Sequence, residues 1–417
     1  MFLFVILCVA YLFIPFHRVC TAVMAVDLIR DMHMDAALLG TLSSVFFFTY
    51  GLMQLPAGLL ADSLGARRIL PLFLGITALG SLLFGLATST PWLIAGRGLV
   101  GVGAAVLFIG GLKIFSAWFP VDRFARMNGI FLGMGGVGII FAAGPLAYAC
   151  VHIGWRNVIL ASGVLALLLA AIAWKWMRDT PQDAGFEPLE TAGTVPCAAS
   201  PEVGAGTRLK GYMKEICSSW NFWCTALWLL GQFTLHMSFG GLWGGPYLMD
   251  VHGLTQAEAG NVLNMMGLGM LAGGPLNGWL SDAVFRARRP VMMLDAVVIT
   301  GLFAGLYQFG AALPVWGLCV WFFLLSVCGV GSVCVGFAAM RDFFGAEATG
   351  TASGLLNAFP SIGMILFQPL TGMLLESQGR TATGFTPEGY EAICLLYIAF
   401  GLAGLLGAFA MRERRMF

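Results

Sequence analysis

A chain of 417 residues in which 59% are hydrophobic and only 10% are charged departs far from soluble domains, where about a quarter of residues carry charge. That composition describes an integral membrane protein, and one built of helices, because helices satisfy their own backbone hydrogen bonds in lipid. A net charge of +1 leaves no basic footprint for nucleic acid. The ten cysteines, scattered singly and mostly in apolar runs, have neither metal-ligand spacing nor the look of a disulfide framework.

Crossing the hydrocarbon core takes about 20 apolar residues. Windows of that size fall at 2–26, 36–60, 69–88, 92–117, 125–149, 156–177, 220–243, 256–280, 290–310, 314–339, 349–375 and 390–411. The first lacks the basic lead of a signal peptide and is expected to be a retained span. Twelve spans place both termini on one side, and Arg67, Arg68, Arg178, Lys214, Arg286, Arg288, Arg289 and Arg412 fall on that side, whereas Arg30, Arg156 and Arg380 fall on the other. Lys and Arg accumulate in cytoplasmic loops, so both termini are expected in the cytoplasm and the protein in the plasma or inner membrane. Residues 179–219 form the one long polar stretch, a linker ending in an Arg208 to Glu215 segment suited to lie on the membrane surface. It separates a bundle at 1–178 from a second at 220–417.

Between the second and third spans, Gly58, Asp62 and Gly65 precede Arg67 and Arg68. Gly58 permits close helix approach, Gly65 suits a left-handed helix end, and Asp62 is placed to face a helix N-terminus or an arginine. Between the eighth and ninth spans, Gly278 and Asp282 precede Arg286, Arg288 and Arg289, so each half carries one copy of the loop, as a parallel internal repeat would leave it. The spacing resembles the signature loop of the major facilitator superfamily. That resemblance implies two pseudo-symmetric six-helix bundles, a substrate site between them near mid-membrane, and a conformational role for Gly58, Asp62, Gly65, Arg67, Arg68 and Asp282. Arg97, followed by Gly101 and Gly103, matches a second superfamily signature on the fourth span. It is assigned to the same machinery, as a structural or a proton-transfer residue. Gly144-Pro145 resembles the start of the antiporter motif, but Tyr148 and Ala149 replace its closing glycines, which lowers the weight of efflux.

Ionisable groups inside the bilayer are costly and so point to function. Arg18 stands mid-span on the first helix, with Tyr11, Pro15, Ala22 and Ala25 on its face, and suits a carboxylate or phosphate held by paired hydrogen bonds; the alternative is an internal ion pair. Tyr50 and Gln54 on the second span, Trp228, Gln232 and His236 at every fourth position on the seventh, and Asn357 and Ser361 on the eleventh are further candidates for the cavity wall. His17, Asp27 and Asp295 are the candidates for coupling.

Residues 11–183 also resemble the anion:cation symporter family, through Phe16-His17-Arg18, Leu52 to Pro56, Trp118-Phe119-Pro120, Gly154-Trp155-Arg156 and Arg178 to Pro181. That family typically has an aspartate where His17 stands and a glutamate on the fourth span where this chain runs Gly103-Ala104-Ala105. The comparison therefore supports organic-anion binding through Arg18 better than it supports proton symport. The expected activity is secondary transport of a small organic anion by alternating access, with a proton or sodium as the partner ion. Export of amphipathic compounds is the alternative. Gly133 to Gly138 fits a dinucleotide fingerprint but follows no strand, and no Walker loop occurs, so no cofactor, metal, nucleic-acid partner or enzymatic reaction is expected. The protein is expected to act as a monomer in the lipid bilayer.

Overall fold

The computed structural model describes residues 2–119, 121–185, 205–381 and 384–412. Its helices are α1 Phe2–Met32, α2 Ala36–Leu64, α3 Ala66–Leu86, α4 Thr90–Trp118, α5 Val121–Ala142, α6 Gly144–Ile153, α7 Trp155–Trp176, α8 Ala205–Ser218, α9 Trp220–Leu235, α10 Gly244–Asp250, α11 Gln256–Trp279, α12 Arg288–Phe309, α13 Val315–Cys328, α14 Val333–Ser377 and α15 Pro387–Ala410. No strand occurs among the described residues.

Polar side chains at the non-membrane turns fix where helices begin. Asp35 accepts a hydrogen bond from the Leu38 N–H at 2.6 Å to open α2, and Thr255 with Glu258 forms a reciprocal capping box on α11. Among the described residues, ten stretches are long and apolar enough to cross a membrane. The run α9 to α10 and the helix α11, richer in Asn and Gly, bring the total to the expected twelve.

Several boundaries differ from the expected ones. The fifth span is two helices, because Pro145 has no N–H with which to continue α5, and the chain turns at Ala143, φ −106° and ψ −98°. The seventh span runs past 243 to Asp250 through a π-helical stretch, His236–Trp243. The tenth breaks after Cys328, at Gly329, and α14 then stays helical through 340–348, where a loop was expected. Of the linker, 186–204 lie outside the described residues. Beyond it the surface segment is α8, whose Ile216 is buried in the second bundle's core.

The halves meet along two seams. In one, α5 and α6 lie on α11 so closely that a Cβ at Gly136 would stand 2.7 Å from the Gly267 carbonyl oxygen. In the other, α2 lies on α14, with Gly51 against the Ser361 side chain. Between the seams, α1 faces the π-helical stretch and α10.

The loop joining α2 and α3 shows how its sequence is used. Gly65 adopts φ +80°, ψ 146°, a region open essentially to glycine alone, and the Asp179 carboxylate fills the space beside its Cα while accepting the Arg67 N–H at 2.8 Å. The α3 N-terminus is thus capped by a residue far along the chain. The surroundings of Gly58 and the side chain of Asp62 lie outside what the structure describes; Arg67 and Arg68 are exposed. Replacing Gly65 by Ala should strain the backbone and displace Asp179, at a cost on the order of 1–3 kcal/mol. A fall of several degrees in the thermal midpoint of purified protein is the expected result, and an unchanged midpoint would show that the loop relaxes freely. In the second copy, Asp282 pairs with Arg288, which also bonds Asp342 at 2.9 Å and the Ser281 hydroxyl at 2.8 Å.

Candidate substrate site

Arg18 is the residue about which the site forms. Its guanidinium carbon lies 4.7 Å from the centre of the Tyr50 ring on α2 and 5.8 Å from that of Phe233 on α9, so one ring comes from each half. Both distances are those of cation–π contact. Its Nε is buried with no hydrogen-bond partner, and among the described residues no carboxylate pairs with it. A guanidinium does not lose its proton, so this charge is held at the interface of the halves with no counter-ion among the described residues. Gln54, one turn from Tyr50, has a buried amide nitrogen that is likewise unpartnered. Tyr11 packs on Phe131 with ring centres 4.4 Å apart and approaches Met270 of α11 across Gly135.

The stripe expected on the seventh span is rotated away from this site. Trp228 lies in the second bundle's core, its indole N–H bonded to the Met292 carbonyl at 2.9 Å, and His236 packs against Gly329, just past the end of α13. Gln232 and His236 are fully buried, and no hydrogen-bond partner reaches the amide of Gln232 among the described residues. The face turned to α1 is one position over: Phe233, then Gly241, whose Cα region is near the Arg18 carbonyl, then Gly245, on which the Ala22 carbonyl rests. Sequence reasoning named Gln232 and missed its neighbour Phe233. The glycines at 241 and 245 were the available signal, since a helix that approaches α1 closely must present small residues to it. Ser361 reaches the α2 seam at Gly51, whereas Asn357 is half-buried on α14.

The coupling and gating candidates do not gather at Arg18. His17 points into the first bundle, 2% exposed, with Nε2 3.4 Å from the Ser81 hydroxyl. Asp295 is buried in the second bundle with one carboxylate oxygen unpartnered. Asp27 lies at the end of the bundle away from the chain termini, bonded to Arg30 at 3.0 Å and to Gln256 of the other half at 2.9 Å. Arg97, also buried, packs over Phe46.

That distal end is shut. Gln256 bonds the Val23 carbonyl and Asp27, Glu376 accepts the Ala36 N–H at 2.9 Å, Arg380 reaches the Met34 carbonyl at 3.3 Å, and Asn264 caps Gly144 at 2.9 Å, all between halves. A cavity of about 540 Å³ remains there, touching Arg30, Asp250 and Arg380. Those charges are already engaged: Arg30 with Asp27 and Asp31, Arg380 with Glu376, and Asp250 with the Phe385 N–H and Tyr390 hydroxyl. It is a weaker anion site than the surroundings of Arg18.

Twelve membrane-crossing runs among the described residues, in two packed six-helix halves with the Arg18 cation between them, define a carrier-type membrane fold. The chain matches the family model described as Major Facilitator Superfamily over residues 7–255 and 229–415, and it belongs to that superfamily. It is 24% identical over 401 residues to the probable galactarate/D-glucarate transporter GudP of Bacillus subtilis (strain 168), covering 92% of this chain and 88% of that one. It is 22% identical to a probable hexose phosphate transport protein of Chlamydia muridarum, covering 85% and 80%. It is also 24% identical to the membrane sensor protein UhpC of Salmonella typhimurium, covering 88% and 81%. Among solved structures it superposes on a bacterial homolog of the human lysosomal transporter Spinster, inward-facing and unoccupied, with a TM-score of 0.76, 19% identity and 98% and 97% coverage.

Proposed function

We propose that this protein is a secondary transporter that carries a small organic anion across the plasma membrane by alternating access, with the anion bound to Arg18. The observation that carries the reading is the guanidinium set between Tyr50 and Phe233 with no carboxylate partner. A planar donor fork flanked by ring faces leaves its edge for a carboxylate or phosphate, and rings from both halves let one ligand sense their relative position. The relatives named as sugar-acid and sugar-phosphate transporters support an anionic cargo. With the basic loops inside, the shut distal end is the extracellular one. Asp295 is the coupling candidate that the geometry favours, because a buried carboxyl with a free oxygen gains or loses a proton at large electrostatic consequence.

The aromatic flanks of Arg18 also suit an amphipathic cargo, which is the second reading. A thermal-shift screen of purified protein against carboxylates, phosphate esters and neutral or cationic amphipaths separates the two. Stabilisation by anions is the expected outcome. Stabilisation by uncharged amphipaths, with none by anions, would replace the first reading by the second.

A further inference from the structure

A second cation stands behind the site. Arg97 of α4 is 2% exposed, inside the first bundle, and its one hydrogen bond runs from Nη1 to the Cys20 sulfur at 3.7 Å; Nε and Nη2 are buried without partners. Its guanidinium lies 5.0 Å from the centre of the Phe46 ring. Phe46 is stacked on Tyr50, one helical turn along α2, with centres 5.8 Å apart and an interplanar angle of 15°. Tyr50 in turn carries the Arg18 guanidinium. Arg97, Phe46, Tyr50 and Arg18 therefore form one stack, a cation at each end and two rings between.

The described carboxylates of this half are elsewhere. Asp27, Asp31 and Asp35 stand at the distal end, engaged with Arg30, Gln256, Trp155 and the α2 N-terminus, and Asp179 and Asp183 lie beyond α7 at the opposite end. Both guanidiniums keep their charge, and neither has a counter-ion among the described residues.

We propose that Arg97 is a positioning residue of the anion site. Through the Phe46 and Tyr50 rings it fixes the plane in which Arg18 presents its donors, and its unneutralised charge makes the site favour a dianion over a monoanion of the same length. This rests on the reading of Arg18 as the anion ligand. Arg97 does not touch the cargo; its field does, because a charge one stack away in a poorly screened interior changes the affinity for a second negative charge by about tenfold.

The test uses purified full-length protein and two six-carbon probes that differ in charge, D-gluconate with one carboxylate and D-glucarate with two, titrated by calorimetry. Wild type is expected to bind the dianion about tenfold more tightly. Arg97→Gln should bring the ratio close to one, chiefly by losing glucarate, while Arg97→Lys, which keeps the charge, should retain the preference. Phe46→Leu, which breaks the stack and keeps both charges, should weaken both probes and leave their ratio unchanged. Equal binding of the probes by wild type overturns the inference without recourse to any variant, as does an unchanged ratio in folded Arg97→Gln. Arg18→Gln is the separate control: if it binds both probes as wild type does, or if wild type binds neither, the reading of the site itself has failed and this inference falls with it.

Discussion

Replacing Arg18 by Gln should weaken an anionic ligand by about 2–5 kcal/mol, because one partner of a desolvated charge pair is removed and the other is left buried without it. That is a loss of roughly thirtyfold to several thousandfold in affinity. Arg18→Lys should recover only part of it. An ammonium restores the charge but lacks both the two-pronged fork and the flat face that lies against Tyr50 and Phe233. Binding to the three purified proteins, with folding followed separately by thermal melting, provides the comparison. Equal affinities in all three would make Arg18 a packing residue.

The second large effect is expected at Gly245. The Ala22 carbonyl oxygen of α1 rests where a side chain at 245 would begin, with the Ala22 carbonyl carbon at 3.0 Å, so the distal ends of the halves meet through bare backbone. Gly245→Leu cannot be accommodated by a rotamer change, since the obstruction is backbone. The cost of the shut conformation should rise by on the order of 1–3 kcal/mol or more. In a two-state carrier, a shift of that size removes most of the population of the disfavoured state. Transport should fall at least about tenfold, and hydrogen–deuterium exchange should rise on both sides of the contact, in 22–27 and 244–250. Wild-type flux and exchange in Gly245→Leu would mean that α1 and α10 do not form the distal seal.

The contrast between these two positions shows what the sequence makes legible. Arg18 stands out because a charge inside an apolar window is costly and has few explanations. Gly245 reads as one of 56 glycines, and nothing local says which of them bears on α1. Hydropathy marks the span and leaves its rotation open. The Trp228, Gln232 and His236 stripe stands out in sequence by its polarity, yet the fold turns it into the second bundle and leaves the apolar Phe233 to face the cation. The π-helical stretch then shifts the register of everything beyond His236, which no count of fours would reveal.

The duplicated loop was readable as a repeat, and Gly65 as its left-handed hinge. The residue that caps α3 there is Asp179, 112 positions away. Only packing of α7 beside α3 brings it to the loop. The latch at the distal end is of the same kind. Asp27 reads in sequence as a coupling candidate and Glu376 as an ordinary loop acid, and they close the distal end only because Gln256 and Ala36 arrive from the other half.

In the proposed cycle an anion crosses the membrane through a site whose charge is Arg18. The most direct test of this is uptake of the best-binding radiolabelled anion from the screen into proteoliposomes, wild type and Arg18→Gln measured side by side. Saturable uptake by wild type, competed by unlabelled anion and reduced to the empty-liposome rate in Arg18→Gln, is the expected result. Binding without uptake by folded wild type would instead describe a sensor, and equal uptake by both proteins would place the charge of the site somewhere other than Arg18.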